Sequence, residues 1–134
     1  MKTKLKSTLI LALVLLGTFA AKAQAKLIIE NNSMRSMTVK VMNDNGGKGT
    51  LHRTVTIEAY SNESVNFSVS GQYFTKTKAI LKGKEPVYRK GEPFKIVNDA
   101  TGYTEMTITF TITESTVPQA SGGKAISKTE FDQN

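Results

Sequence analysis

The chain has 134 residues, 18 of them Lys or Arg and 11 Asp or Glu, with 39% apolar and 22% charged residues. That is room for one domain and one core, and a globular rather than a disordered composition. With no Cys and one His, a disulfide framework, a thiolate metal site, a cysteine nucleophile and a multi-histidine metal site are excluded, and a serine triad has only His52 to draw on.

Residues 1–23 read as a cleaved secretory signal peptide. Lys2, Lys4 and Lys6 form a positive start, Leu9 to Leu16 an apolar run too short to span a bilayer, and Ala21-Lys22-Ala23 a small-residue cleavage site. Cleavage after Ala23 leaves Gln24 first; Ala23-Gln24-Ala25 offers a second site two residues on. The run Ala21-Lys22-Ala23-Gln24 resembles export signals of Bacteroidota-type bacteria. No Cys follows the apolar run, so a lipoprotein anchor is excluded. The mature chain is expected in the periplasm or outside the cell, with no transmembrane segment. Loss of the four lysines in 1–23 leaves 14 basic and 11 acidic residues, a net charge of +3. That charge implies no nucleic-acid partner by itself.

From residue 24 to 113 the pattern is period-two alternation broken by turns. The first strand is 26–30. In the second, 36–42, Met37, Val39 and Val41 share one face. Residues 43–49 (NDNGGKG) form a loop, as Asn, Asp and Gly tolerate positive φ. In 50–58, Leu51, Val55 and Ile57 point inward, His52, Thr54, Thr56 and Glu58 outward, and Arg53 interrupts the inward row. In 64–70, Val65, Phe67 and Val69 point inward. The strand 72–80 has two candidate faces, one with Phe74, Lys76 and Lys78, and its lysines are expected in water. Short strands follow at 87–89 and 94–97. The turn Asp99-x-x-Gly102-Tyr103 resembles the corner before a late strand in immunoglobulin-like domains. The last strand, 104–113, alternates Met106, Ile108, Phe110 and Ile112 with threonines, which suits a half-buried sheet. No segment carries a helical apolar period. The expected fold is all-β: a single antiparallel β-sandwich, immunoglobulin-like in size, with about seven short strands. Residues 114–134 read as a flexible polar tail. Ile126 and Phe131 are its large apolar groups beyond Val117, able to dock on the domain or a partner.

Catalytic chemistry finds no foothold in the spacing. Glu58, Glu63, Glu85 and Glu92 stand singly beside turns, so paired-carboxylate chemistry is not indicated. The loop at Asp44 has oxygen ligands but Val55 where a calcium loop needs its final glutamate. No catalytic, metal or cofactor-binding residue is expected. One constellation is distinctive: Lys76, Lys78, Lys82, Lys84, Arg89, Lys90 and Lys95 lie within 73–95, interleaved with Phe74, Tyr88 and Phe94. Phe74, Lys76, Lys78, Tyr88 and Arg89 are therefore the candidate surface for an anionic ligand, such as a glycan or an envelope component. The competing reading is lysines that protect an edge strand from pairing. The sequence points to an exported, non-catalytic β-sandwich module binding a protein, glycan or envelope component. The alternatives are a fibre or pilus-type subunit, or a small secreted enzyme or enzyme inhibitor.

Overall fold

The computed structural model describes residues 24–44, 49–114, 119–120 and 122–134. The export signal read in 1–23 and the centre of the glycine loop, 45–48, lie outside them. The chain is mostly strand: β1 (Ala25–Asn32), β2 (Ser36–Asn43), β3 (Thr50–Ile57), β4 (Asn62–Phe67), β5 (Gly71–Ile80), β6 (Val87–Lys90), β7 (Phe94–Ile96), β8 (Asn98–Asp99), β9 (Gly102–Tyr103), β10 (Glu105–Thr113), β11 (Gln119–Ala120) and β12 (Lys124–Ala125), then one short helix, α1 (Lys128–Asp132).

Two sheets carry the fold. The first has the order β11-β10-β1-β4, and the second β12-β6-β5-β2-β3, with β7 continuing along β5 beyond β6. Both sheets feed one apolar cluster. Leu27 and Ile29 of β1, Val65 and Phe67 of β4, and Met37, Val39 and Val41 of β2 are all but fully buried in it. Each such side chain stabilises by about 1.5–3 kcal/mol. Alternation makes these strands, because every second residue has somewhere apolar to go.

Three details depart from the sequence reading. First, β1 and β10 pair in parallel, from Lys26↔Glu105 to Asn32↔Thr111, inside an otherwise antiparallel arrangement. Parallel neighbours need a long crossover; here β2 to β9, most of them strands of the second sheet, supply it, so no helix is required. Second, the β2–β3 register shifts between Val41 and Met42: Val41 faces Arg53 and Met42 faces Leu51, leaving His52 as the extra residue of a bulge. One extra residue reverses the facing beyond it. Leu51, expected inward, shares a face with Met42 and is 41% exposed. His52, expected outward, is exposed, and its ring also stacks on Phe67 with centroids 4.8 Å apart and meets the Tyr73 ring edge-on. Third, β4 ends at Phe67 as the chain turns towards the second sheet, so Val69, expected inward, is exposed.

The β1–β2 crossing is held by polar groups. The Asn31 side-chain amide donates to the carbonyls of Arg35, Ile57 and Glu58, and Ser33 Oγ donates to Asn31 Oδ1. Arg35 is fully buried. Its Nε and Nη2 donate to the two Glu114 carboxylate oxygens at 2.8 and 3.1 Å, and its Nη1 to the carbonyls of Ala79 and Glu85.

The segment read as a flexible tail is docked where it is described. Ala120 pairs with Ile112, Ala125 pairs with Arg89, and Phe131 of α1 is buried against the outer face of the second sheet. Ser127 caps α1 by accepting from the Glu130 N–H. Phe131 supplies the apolar anchor that makes this worth its entropy.

Removing the buried cation or its partner is expected to be costly. Arg35→Ala destabilises by about 3–5 kcal/mol in urea unfolding, because it dismantles a buried pair. Glu114→Gln loses charge-assisted hydrogen bonds and costs about 1.5–3 kcal/mol. Arg35, mainly by hydrogen bonding, holds the Glu114 carboxyl below its ordinary value. A carboxyl that is more acidic when folded stabilises above its unfolded pKa of about 4.3, and that stabilisation disappears as pH falls through the lower folded value. The wild type therefore loses stability on acidification below about pH 4.3, and Glu114→Gln shows a shallower loss over the same range. Thr77 tests the opposite sign. Its buried Oγ1 has no partner among the described residues, so Thr77→Val raises the unfolding free energy by about 1 kcal/mol.

Candidate binding surfaces

Cross-strand register decides where the basic residues go. On the outer face of the second sheet, Lys40 of β2 lies opposite Lys76 of β5, Lys76 opposite Lys90 of β6, and Lys90 opposite Lys124 of β12. Four lysines thus stand in one row across four neighbouring strands. Beside it, Lys78 lies opposite Tyr88, and Phe74 shares the face through its alternation with Lys76. Phe74, Lys76, Lys78 and Tyr88 are brought together. Arg89 is not: it is in register with Thr77 on the other face, and its guanidinium donates to the carbonyls of Gly122 and Gly123. Lys40 joins the site unannounced. Its outward position in β2 was readable, but the register that sets it beside Lys76 was not.

Like charges directly opposite one another are unfavourable. What offsets them is the C-terminal segment. Lys40 Nζ donates to Phe131 O at 2.9 Å and Asn134 Oδ1 at 2.8 Å. Lys76 Nζ donates to Glu130 O at 2.8 Å and Gln133 O at 2.7 Å. These are carbonyls at and just beyond the end of α1, which lack helical partners and attract cations. Lys40 Nζ also lies 4.6 Å from the Phe131 ring centroid and Lys78 Nζ 5.5 Å, with Tyr88 alongside at 5.7 Å between centroids. Lys90 sits 4.8 Å over the Phe74 ring. Cation–π contacts of this kind favour the charged amine. Lys76, expected in water, is 6% exposed. Burial, followed by the charge of Lys40, lowers its pKa from the ordinary lysine value; Glu130 opposes the shift and Lys90 adds to it.

A second surface lies at the edge of the first sheet. β10 pairs with β1 along one side, and on the other Ile112 and Thr113 pair with β11. Among the described residues no strand pairs with Glu105–Phe110 on that side. Next to this edge is a cavity of about 460 Å³, walled by Met106, Ile108, Phe110 and Phe94, with Arg89 and Glu92 also lining it. Met106, Ile108 and Phe110, which share one face of β10, are half-buried: they pack against the apolar cluster and also line the cavity.

Among the described residues no cluster of three or more His, Cys, Asp or Glu could hold a metal ion, and no helix is long and apolar enough to cross a membrane. The His52 ring is engaged in stacking, and its Nε2 lies 3.2 Å from Asn66 O. No family model matches the chain, and a search of the curated proteins finds no relative.

Phe131 is the one buried side chain of α1, so Phe131→Ala is expected to loosen the segment without unfolding the two-sheet body. Burial of a Phe contributes about 1.5–3 kcal/mol, equivalent to about 10–100-fold in local opening. Limited proteolysis at Lys124 and Lys128 reads this directly: cleavage accelerates by about that factor, while the thermal midpoint of the two-sheet body barely moves.

Proposed function

We propose that the mature chain is a small exported, non-catalytic β-sandwich module that binds a partner protein, taking an extended segment of it along the free edge of β10. One observation carries this reading: the Glu105–Phe110 edge, unpaired among the described residues, lies beside an apolar cavity. An added strand gains backbone hydrogen bonds from the edge, and its alternate side chains fill the neighbouring pocket. Edges that must stay unpaired are commonly guarded by Lys or Pro; Glu105–Phe110 contains neither. The segment that fits has apolar residues at every second position, set against Met106, Ile108 and Phe110. Export is supported by the positive start, the apolar run and the Ala21-x-Ala23 site of residues 1–23, which make the protein periplasmic or extracellular. An immunoglobulin-like sandwich is the finer fold reading that two facing sheets and the Asp99–Tyr103 corner support.

The same free edge favours a second reading, a subunit of a surface fibre whose copies add strands to one another. Oligomeric state separates the two: the fibre reading requires self-association that grows with concentration.

Selection of peptides from a random display library tests the module reading. Binders carry alternating apolar residues, protect the amides of Glu105–Phe110 from hydrogen exchange, and are lost with Met106→Lys. Selected peptides that protect other amides would refute it. Self-association of the peptide-free protein that Met106→Lys abolishes would establish the fibre reading in its place. Export is tested by the mass of the native protein: a mature chain begins at Gln24, and one that keeps Met1 would overturn it.

A further inference from the structure

We propose that the lysine row on the outer face of the second sheet is a recognition site for an acidic peptide segment with an aromatic anchor, and that residues 122–134 occupy it in cis as a displaceable cover. This inference concerns the face opposite the core and does not depend on the β10 edge.

Position argues first. If the lysines served only to keep a sheet edge from pairing, they would stand on edge strands. Lys40 and Lys76 stand on β2 and β5, both of which are flanked by strands on each side. Strands are spaced about 4.8 Å apart, so the three lysines of the row that belong to the body, Lys40, Lys76 and Lys90, span about 10 Å, the reach of about three residues of extended chain. Cations held in register at that spacing repel one another, and an occupant bearing several carboxylates relieves the repulsion.

The cis occupant meets this need poorly. Residues 122–134 carry Lys124 and Lys128 against Glu130 and Asp132, so their side chains bring no net charge. Asp132 pairs with Lys128 at 2.7 Å within the helix, and the charges of Asp132 and Glu130 reach the row lysines without a close ion pair. Among the described residues, Lys40, Lys76, Lys78 and Lys90 form no ion pair with a carboxylate; they are met by carbonyls, one amide oxygen and aromatic rings. Lys124 moreover adds a fourth cation to the row, opposite Lys90. A segment with acidic residues at positions 124 and 128 matches the face better than the one that now lies on it.

Attachment is mostly polar, through the hydrogen bonds that Lys40, Lys76 and Arg89 donate to the segment, with little apolar burial. β12 contributes two register pairs, α1 is little more than one turn, and Phe131 is the one buried residue in α1. The segment departs from the body at Gly122 and Gly123, which have φ of 69° and 63°, a left-handed conformation that glycine adopts without strain. The Phe131 seat defines the anchor: a ring 3% exposed, between Lys40, Lys78 and Tyr88. That apolar slot distinguishes a peptide from a simple polyanion.

The test uses the full chain and two labelled probes: a synthetic peptide of residues 122–134, and the same peptide with Lys124→Glu and Lys128→Glu. Phe131→Ala opens the face. Gly123→Ala opens it independently, since a Cβ there collides with the carbonyl of Lys90. Fluorescence anisotropy should show the acidic probe binding both opened variants about tenfold or more tighter than the wild type, whose own segment competes. It should also bind more tightly than the native-sequence probe. Added Lys40→Glu and Lys76→Glu should abolish binding, and raising salt should weaken it. All proteins are checked for unchanged circular dichroism. Failure of the opened variants to bind the acidic probe at low salt would overturn the proposal and leave the row as an anchor for its own segment only. Equal binding of an acidic probe lacking the Phe, or of polygalacturonate, would overturn it in favour of a general polyanion surface.

Discussion

A guanidinium with no exposed surface has to find its partners inside the protein, and Arg35 finds four acceptor oxygens on three separate parts of the fold. Its hydrogen bonds reach the end of β10 through Glu114, the end of β5 through the Ala79 carbonyl, and the β5–β6 loop through the Glu85 carbonyl. The residue itself lies where the chain leaves the first sheet for the second. Both sheets and the loop between β5 and β6 are therefore tied to one positive charge. An isolated charge at this depth is untenable, so the ends of β5 and β10 must be in place for Arg35 to be buried at all. The Asn31 and Ser33 side chains complete the corner by hydrogen bonds to its backbone and to each other.

Alternation was enough to place most strands, because it states directly which residues seek the interior: Met37, Val39 and Val41, or Val65 and Phe67. It is silent about what depends on distant partners. Arg35 stands between the first two strands with nothing in the alternation to mark it, and Glu114 reads as the point where the pattern fails. Only the fold, by bringing together residues far apart in sequence, makes them a pair. The bulge at His52 is invisible for a related reason. The extra residue is defined by the partner strand, so alternation alone points Leu51 inward, whereas it is exposed.

The candidate site was legible in the same partial way. Local density singled out Phe74, Lys76, Lys78 and Tyr88, which do share a face. Arg89 follows Tyr88 in sequence and so points the other way, a direct result of the two-residue period. Lys40 comes from a strand that sequence distance hides, and the cover comes from a segment whose composition looks flexible. Phe131 was noticed as apolar, but a single ring gives no period from which docking can be inferred. The two surfaces are complementary in kind. The β10 edge offers unpaired backbone and an apolar cavity, whereas the lysine row offers charge with a slot for one ring.

The parallel pairing of β1 with β10 also has a mechanical meaning. Tension applied between Ala25 and Thr113 pulls two side-by-side strands past each other along their length. The seven register pairs from Lys26↔Glu105 to Asn32↔Thr111 then bear the load together, whereas an antiparallel hairpin pulled from its open end unzips one pair at a time. The first and last long strands thus form a shear clamp, which suits a domain strung between two attachment points.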